Sequence, residues 1–308
     1  MQVRRRKGDA VDGVLLLDKP VGITSNAALQ VARRALNARK AGHTGTLDPL
    51  ASGLLPIALG EAAKFAGALL DAPKSYRATL RLGVATASGD ADGEVTARRP
   101  VAVDAARLDA TLSRFVGTIL QVPPMHSALK RDGRPLYEYA RRGLEVERAA
   151  REVTIHRLER RRFEGDELDI DVDCSKGTYV RVLAQDIGEQ LGCGAHLSAL
   201  RRTRVGPLSL DDAIALDRLE GLDPAARRAR LRPADLLLQE LPRIDLDAEA
   251  AERLRHGQRL ALGLRPVPRA RIYDDRGRLA GVAAIDDGGV LAPLRLVNEE
   301  CRESEPAP

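Results

Sequence analysis

The chain has 308 residues, 44% hydrophobic and 30% charged, with a formal net charge of +5 and an isoelectric point near 9.3. This composition fits a soluble globular protein of about two domains, and its charge excess is too mild to mark an RNA binder without local clustering. Cys174, Cys193 and Cys301 give no paired disulfide framework, which predicts a reduced, cytoplasmic protein, and 3% aromatic residues without Trp exclude broad base-stacking platforms.

From the N-terminus, Arg4–Lys7 reads as a solvated basic tail. The apolar run Val14–Leu17 is too short for a signal segment or a membrane span and reads as a buried strand. A Pro/Gly turn follows, with Thr24 or Ser25 capping a helix that Ala41-Gly42 closes. Residues 42–60, GHTGTLDPLASGLLPIALG, hold a single acid, Asp48. Asp48-Pro49 predicts a turn whose acid caps a short helix starting at Pro49, with Pro56 ending or kinking it. The residues leave two readings open: a capping acid, or a carboxylate held on a turn beside His43 and available as nucleophile or base.

A helix near 60–70 carries Lys64, and two strands follow, joined by a turn at Asp92-Gly93. The DADGE stretch lacks the spacing of a calcium loop. Tyr76 opens the first of these strands and reads as a half-buried strand aromatic. Between Met125 and Arg151 lie seven Lys/Arg and four Asp/Glu, with Tyr137 and Tyr139 interleaved. This is a solvated charged face, or a loop and helix that clamp an RNA backbone. RLERRR at 157–162 would extend that basic surface.

Leu168, Ile170 and Val172 alternate with Asp169, Asp171 and Asp173, which predicts a strand with one buried face. The chain then turns at Lys176-Gly177, continues through Tyr179 and Arg181 and enters a helix ended near Gly192. Leu200 reads as a core leucine, with Arg201, Arg202 and Arg204 adding positive charge nearby. Residues 211–240 look helical, broken at Pro224 and Pro233, and from about Leu241 short strands alternate with Gly-containing turns. Cys193 and His196 have ligand-like spacing without a second pair, so no metal site is expected. No phosphate-binding or dinucleotide fingerprint is present.

HTGTLDPLASGLL resembles the catalytic motif of the TruB family of pseudouridine synthases, in which the aspartate of the GxLDP core is the essential residue; in this sequence that is Asp48. Further landmarks follow in the family's order. Lys19-Pro20-x-Gly22-x-Thr24-Ser25 is similar to the family's first motif, where a structural role suits the residues. GEAAK is similar to GEATK, which implies a phosphate contact for Lys64. KSYRA resembles KxYxA, whose tyrosine stacks on the target base, here Tyr76. PPMHSALKRDGRPLYEYAR matches the insertion that grips the tRNA arm (about 124–151), with Lys130 and Arg141 as contact candidates. CSKGTYVR resembles a motif that lines the active site, here Tyr179 and Arg181; an arginine beside Asp48 would pair with its carboxylate. AHLSALRRTRVG places Leu200 against the target base. GVAAIDDGGVLAPLRLV is similar to the family's C-terminal PUA-like RNA-binding module.

The resemblance implies an α/β (α+β) pseudouridine synthase fold, with a mixed, largely antiparallel sheet flanked by helices in residues 9–240 and a small β-rich PUA-like domain in 241–300. It implies isomerisation of the uridine at position 55 in the T-loop of tRNA, with Asp48 as nucleophile and Tyr76 and Arg181 beside it. His43, Tyr76, Tyr179 and Leu200 would bind substrate, and no cofactor would be needed. The implied partner is the T-arm of tRNA, met by a cytoplasmic monomer with no membrane contact and no obligatory protein partner. Two rivals are a tRNA-folding chaperone, which does not require Asp48 chemistry, and a guide-RNA-dependent relative. A hydrolase built on Asp48 lacks a second carboxylate partner.

Overall fold

The computed structural model describes residues 8–127, 129–131 and 133–298. The basic run Arg4–Lys7, Cys301 and the final ESEPAP segment lie outside them. In chain order the first half contains β1 (Gly13–Lys19), α1 (Ser25–Ala35), β2 (Ala41–His43), β3 (Ala51–Leu59), a 3-10 helix (Gly60–Leu69), β4 (Lys74–Leu82), β5 (Val84–Thr86), β6 (Val95–Arg98), α2 (Ala105–Ser113) and β7 (Gly117–Gln121). The insertion follows as β8 (Lys130–Arg131), β9 (Arg134–Pro135) and α3 (Leu136–Ala140). Then come β10 (Arg151–Glu164), β11 (Glu167–Cys174), α4 (Val180–Leu191), β12 (Ala195–Val205), β13 (Leu208–Ser209), β14 (Ile214–Ala215), α5 (Leu216–Gly221), α6 (Pro224–Arg228) and a 3-10 helix (Ala234–Leu238).

One sheet organises these elements, in the order β14-β1-β3-β12-β4-β11-β10-β7, with β2 on β3 and β13 on β12. The β1–β14 and β3–β12 pairs are parallel and the rest antiparallel, so the sheet is mixed and largely antiparallel. Period-two alternation assigns the faces. Leu168, Ile170 and Val172 on β11 pack with Leu183 and Ile187 of α4 and Leu108 and Leu112 of α2. Leu15, Leu17, Leu55 and Ile57 on the same face pack with Ala28, Leu29 and Ala32 of α1 and Leu219 of α5. Tyr76 and Leu200 border both clusters, which places them in the cleft between the two helix-covered halves.

The helix expected from Pro49 is absent: residues 51–59 form β3. Along its second edge, β3 pairs with β12 over Ala51–Gly53 and with β2 over Ile57–Leu59. Pro56 falls in the gap between these partners, where its missing N–H costs no ladder bond. Helix α1 is capped by Thr24 and ends at Leu36 rather than at Gly42, because Ala41–His43 is drawn into the sheet. The expected helical stretch 211–240 reduces to short pieces, with Pro224 at the start of α6 and Pro233 capping the 3-10 helix Ala234–Leu238.

The basic run 157–162 does not extend a free positive surface. Arg157, Arg161 and Arg162 pair with Asp173, Asp171 and Asp169 of β11 at 2.7, 2.8 and 2.9 Å, and Arg160 pairs with Asp109 of α2 at 2.7 Å. The alternating aspartates of β11 find their partners across the strand pair.

After residue 240 a second sheet forms, β15-β17-β18-β19-β16, from β15 (Arg243–Asp245), β16 (Leu260–Ala261), β17 (Val267–Tyr273), β18 (Leu279–Ile285) and β19 (Val290–Leu296). A helix absent from the sequence reading, α7 (Ala248–Arg255), is capped by Asp247 and packs Ala251 and Leu254 into this unit's core. The unit shares an apolar seam with the main sheet's second face, where Val282 joins Phe65, Leu237 and Leu238. Tyr273 donates to Asp235 at 2.7 Å across the seam. Among the described residues no helix is long and apolar enough to cross a membrane.

Candidate active site

Asp48 stands on the loop joining β2 to β3. Leu47, just before it, is buried, and the Ser25 hydroxyl accepts from the Leu47 N–H at 2.7 Å and donates to its carbonyl at 2.9 Å. The Gly22 N–H donates to the Pro49 carbonyl at 2.8 Å. With both neighbours fastened, the Asp48 side chain projects into the cleft and stays 44% exposed, open to a substrate. Its turn does not cap a helix, so of the two roles read from the sequence the capping one is removed.

Opposite it lies Arg181, in the first turn of α4 rather than at a strand end, and buried. Its guanidinium reaches Asp48 at 3.0 Å and Asp90 at 3.3 Å, and donates to the His126 carbonyl at 2.8 Å. Asp90 is itself buried and accepts from the Ser88 hydroxyl and, at 3.3 Å, from the Asp92 N–H. Arg181 therefore bridges an accessible carboxylate and a sequestered one, and the sequestered one fixes its orientation. Asp90 escaped the sequence reading because its stretch looks like an ordinary turn.

Tyr76 and Leu200 line the cleft beside this pair, on adjacent strands β4 and β12. Burial pushes the Tyr76 phenol up, with the Arg202 guanidinium pulling the other way. Tyr179 caps α4 at its N-terminus, where the Gln121 side chain accepts from its N–H at 3.0 Å and donates to its carbonyl at 3.3 Å. Burial raises its phenol, opposed by the Ser127 hydroxyl and the Arg181 charge. His43 ends β2, its Nδ1 accepting from the Gly45 N–H at 3.4 Å; burial and then the Arg202 charge push its imidazole below the usual range.

Two more cations surround the carboxylate. Lys19 is fully buried at the end of β1 and donates to the Pro20 and Ile23 carbonyls at 2.7 and 2.8 Å. Burial brings its ammonium down to about 8, partly offset by Asp48. Arg202 is buried beneath the Asp48 loop rather than adding surface charge as expected. Strand alternation was the available signal: Leu200 on the cleft face puts Arg202 there too, while Arg201 turns away to pair with Asp18 at 2.6 Å.

The remaining candidates do not converge on Asp48. Lys64 pairs with Glu61 at 2.6 Å and donates to the Leu296 carbonyl at 3.1 Å, which makes it part of the seam with the C-terminal sheet. Lys130, on β8, and Arg141, just after α3, are exposed on the insertion, with Arg141 stacked 5.4 Å from the Tyr137 ring centre.

An aspartate on a clamped loop is thus salt-bridged by a buried arginine at the mouth of a cleft with an aromatic and an aliphatic wall, above a mixed sheet. Comparison with known proteins carries this to the family. Residues 33–180 match the TruB family pseudouridylate synthase N-terminal domain, residues 181–239 the tRNA pseudouridylate synthase B C-terminal domain, and residues 242–297 the pseudouridine synthase II TruB C-terminal domain. The chain is 58% identical to tRNA pseudouridine synthase B of Aromatoleum aromaticum, over 96% of this chain and 95% of that one. It is 56% identical to tRNA pseudouridine synthase B of Dechloromonas aromatica, over 95% and 98%. A crystal structure of a Cbf5-Nop10-Gar1 complex aligns with a TM-score of 0.69 at 26% identity, covering 99% of this chain and 88% of that one. An H/ACA RNP bound to a substrate RNA containing 2′-deoxyuridine shares the fold, with a TM-score of 0.72 at 24% identity over 97% and 93%. The chain belongs to the TruB family of pseudouridine synthases.

Proposed function

We propose that this protein isomerises the uridine at position 55 in the T-loop of tRNA to pseudouridine, with Asp48 as the catalytic carboxylate. The observation that carries the reading is the Asp48–Arg181 pair at 3.0 Å, at the mouth of a cleft bordered by Tyr76 and Leu200, in a chain of this family. The glycosidic bond of a stacked nucleotide is out of reach, so the uridine must leave the stack to meet Asp48. Tyr76 and Leu200 then hold the extruded base from two sides, and His43 fills the space it vacates. Asp48 assists cleavage of the C1′–N1 bond. The freed uracil rotates within the cleft, C5 bonds to C1′, and the C5 proton is lost to solvent while N1 gains one. Arg181 holds the Asp48 carboxylate in place through these steps. Tyr179, fixed by Gln121, completes the wall beside Arg181.

In this reading residues 9–240 are the catalytic unit, and the insertion at about 124–151 closes on the T-arm backbone through Lys130 and Arg141. Residues 241–300 form a PUA-like module that adds RNA surface, and Lys64 acts chiefly at the seam between the two units. The protein works as a cytoplasmic monomer without an obligatory protein partner. The test is to incubate an unmodified tRNA transcript with the protein and map pseudouridine by carbodiimide adducts and primer extension. A single stop assigned to position 55 is expected; stops elsewhere with none at 55 would overturn the assignment.

A further inference from the structure

Arg202, on β12, heads the fully buried side chains by size, at 2% exposure. Its Nε donates to the Leu54 carbonyl at 2.8 Å, and its terminal nitrogens donate to the Thr46 and Gly45 carbonyls at 3.4 and 3.3 Å. Among the described residues no carboxylate pairs with it. Taking a guanidinium out of water without a counter-ion is costly unless its donors are met, so these carbonyls are what hold the charge in place. They belong to two segments: Leu54 to β3, and Gly45 and Thr46 to the loop that carries Asp48.

The surroundings fix where that grip acts. The strand register sets Arg202 beside Tyr76 on β4 and Gly53 on β3. Gly53 has φ +103°, and a Cβ there would come 2.3 Å from the Arg202 carbonyl, so β12 approaches β3 more closely than a side chain would permit. The guanidinium charge, beside the Tyr76 phenol in the register, works against the upward push that burial gives that phenol. The Asp48 loop is thus held from the α1 side by Ser25 and from the sheet side by Arg202.

We propose that Arg202 is the positioning residue of the catalytic loop, fixing the turn that presents Asp48 relative to Tyr76 and the floor of the cleft. The inference rests on the isomerase reading above and adds to it a residue that does not touch substrate. Because Arg202 is buried beneath the loop, its loss should leave RNA docking intact and act on the chemical step. A displacement on the order of 1 Å at a reacting group costs up to about a hundredfold in rate.

The experiment measures single-turnover pseudouridine formation and tRNA affinity for wild type, Arg202→Met and Arg202→Lys, with Asp48→Asn as the inactive reference and circular dichroism on each. The expected result is a rate at least about tenfold lower for Arg202→Met, with Kd within about threefold of wild type, and partial recovery in Arg202→Lys, which keeps the charge and some of the donors. A folded Arg202→Met with a rate within about twofold of wild type would overturn the proposal, as would rate and affinity falling together in both variants. If Arg202→Met does not fold, Arg202→Lys decides: a slower rate at unchanged affinity supports the role, and a wild-type rate rejects it. Absence of turnover in wild type would instead defeat the isomerase reading, and with it any catalytic role for the loop.

Discussion

Around Asp48 the charged neighbours are held by groups other than the substrate: Arg181 by Asp90 and the His126 carbonyl, Lys19 by two carbonyls, Arg202 by three. Fixed charges of this kind need little reorganisation when charge develops in a reaction. Tyr76 contributes a surface as well as a phenol, so Tyr76→Leu should lower the single-turnover rate by about a hundredfold or more while tRNA affinity changes little. Rapid-quench kinetics checks this, and a near-normal rate would reject the stacking role. Lys19 makes a pH prediction. Its ammonium titrates at about 8 in the fold against 10.5 in an unfolded chain. Between those values the unfolded state binds more protons, so raising the pH favours the folded state. Denaturation at pH 8 and pH 10 should therefore find that wild type gains stability relative to Lys19→Met as the pH rises. A constant difference between the two proteins would remove the burial penalty assigned to this lysine.

Element by element, the sequence is most informative where a single periodicity governs. The alternation Leu168-Ile170-Val172 announces β11, and Thr24 announces the start of α1. It misleads around Asp48, where Pro49 and Pro56 look like a helix start and stop. Pro56 is tolerated in β3 because two short neighbours leave a gap at its position, and that arrangement arises only when distant strands assemble. Asp48, Tyr76, Arg181 and Leu200 were legible because each sits in a local motif. Asp90 was not, since its partner Arg181 lies far along the chain, and Arg202 was read only as nearby charge although alternation from Leu200 sets it on the cleft face. The close approach of β12 and β3 gives a prediction at this scale. Gly53→Ala places a Cβ against the Arg202 carbonyl at a left-handed φ, and should destabilise the fold by about 1–3 kcal/mol or more. Urea denaturation measures it, and an unchanged midpoint would contradict the register described.

Across the whole molecule, the two sheets meet through an apolar seam rather than a loose linker. Val282 is buried against Phe65, Leu237 and Leu238, and Glu61 accepts from Lys64 and from the Asn298 N–H, the latter at 2.7 Å. Removing residues 241–308 would therefore destabilise the fold that remains. With each buried Val, Leu or Phe worth about 1.5–3 kcal/mol, the truncated protein should melt at a lower temperature and bind more of a hydrophobic dye. Calorimetry with dye titration checks this, and a full-length melting temperature in the truncated chain would mean the seam adds nothing to the fold. Above all these scales stands the claim that Asp48 converts uridine. Its most direct test is tritium release from C5-labelled uridine in an unmodified tRNA transcript, comparing wild type with Asp48→Asn. The expected result is release by wild type, none by Asp48→Asn, and undiminished tRNA binding by both. Release by Asp48→Asn at a rate near that of wild type would contradict it.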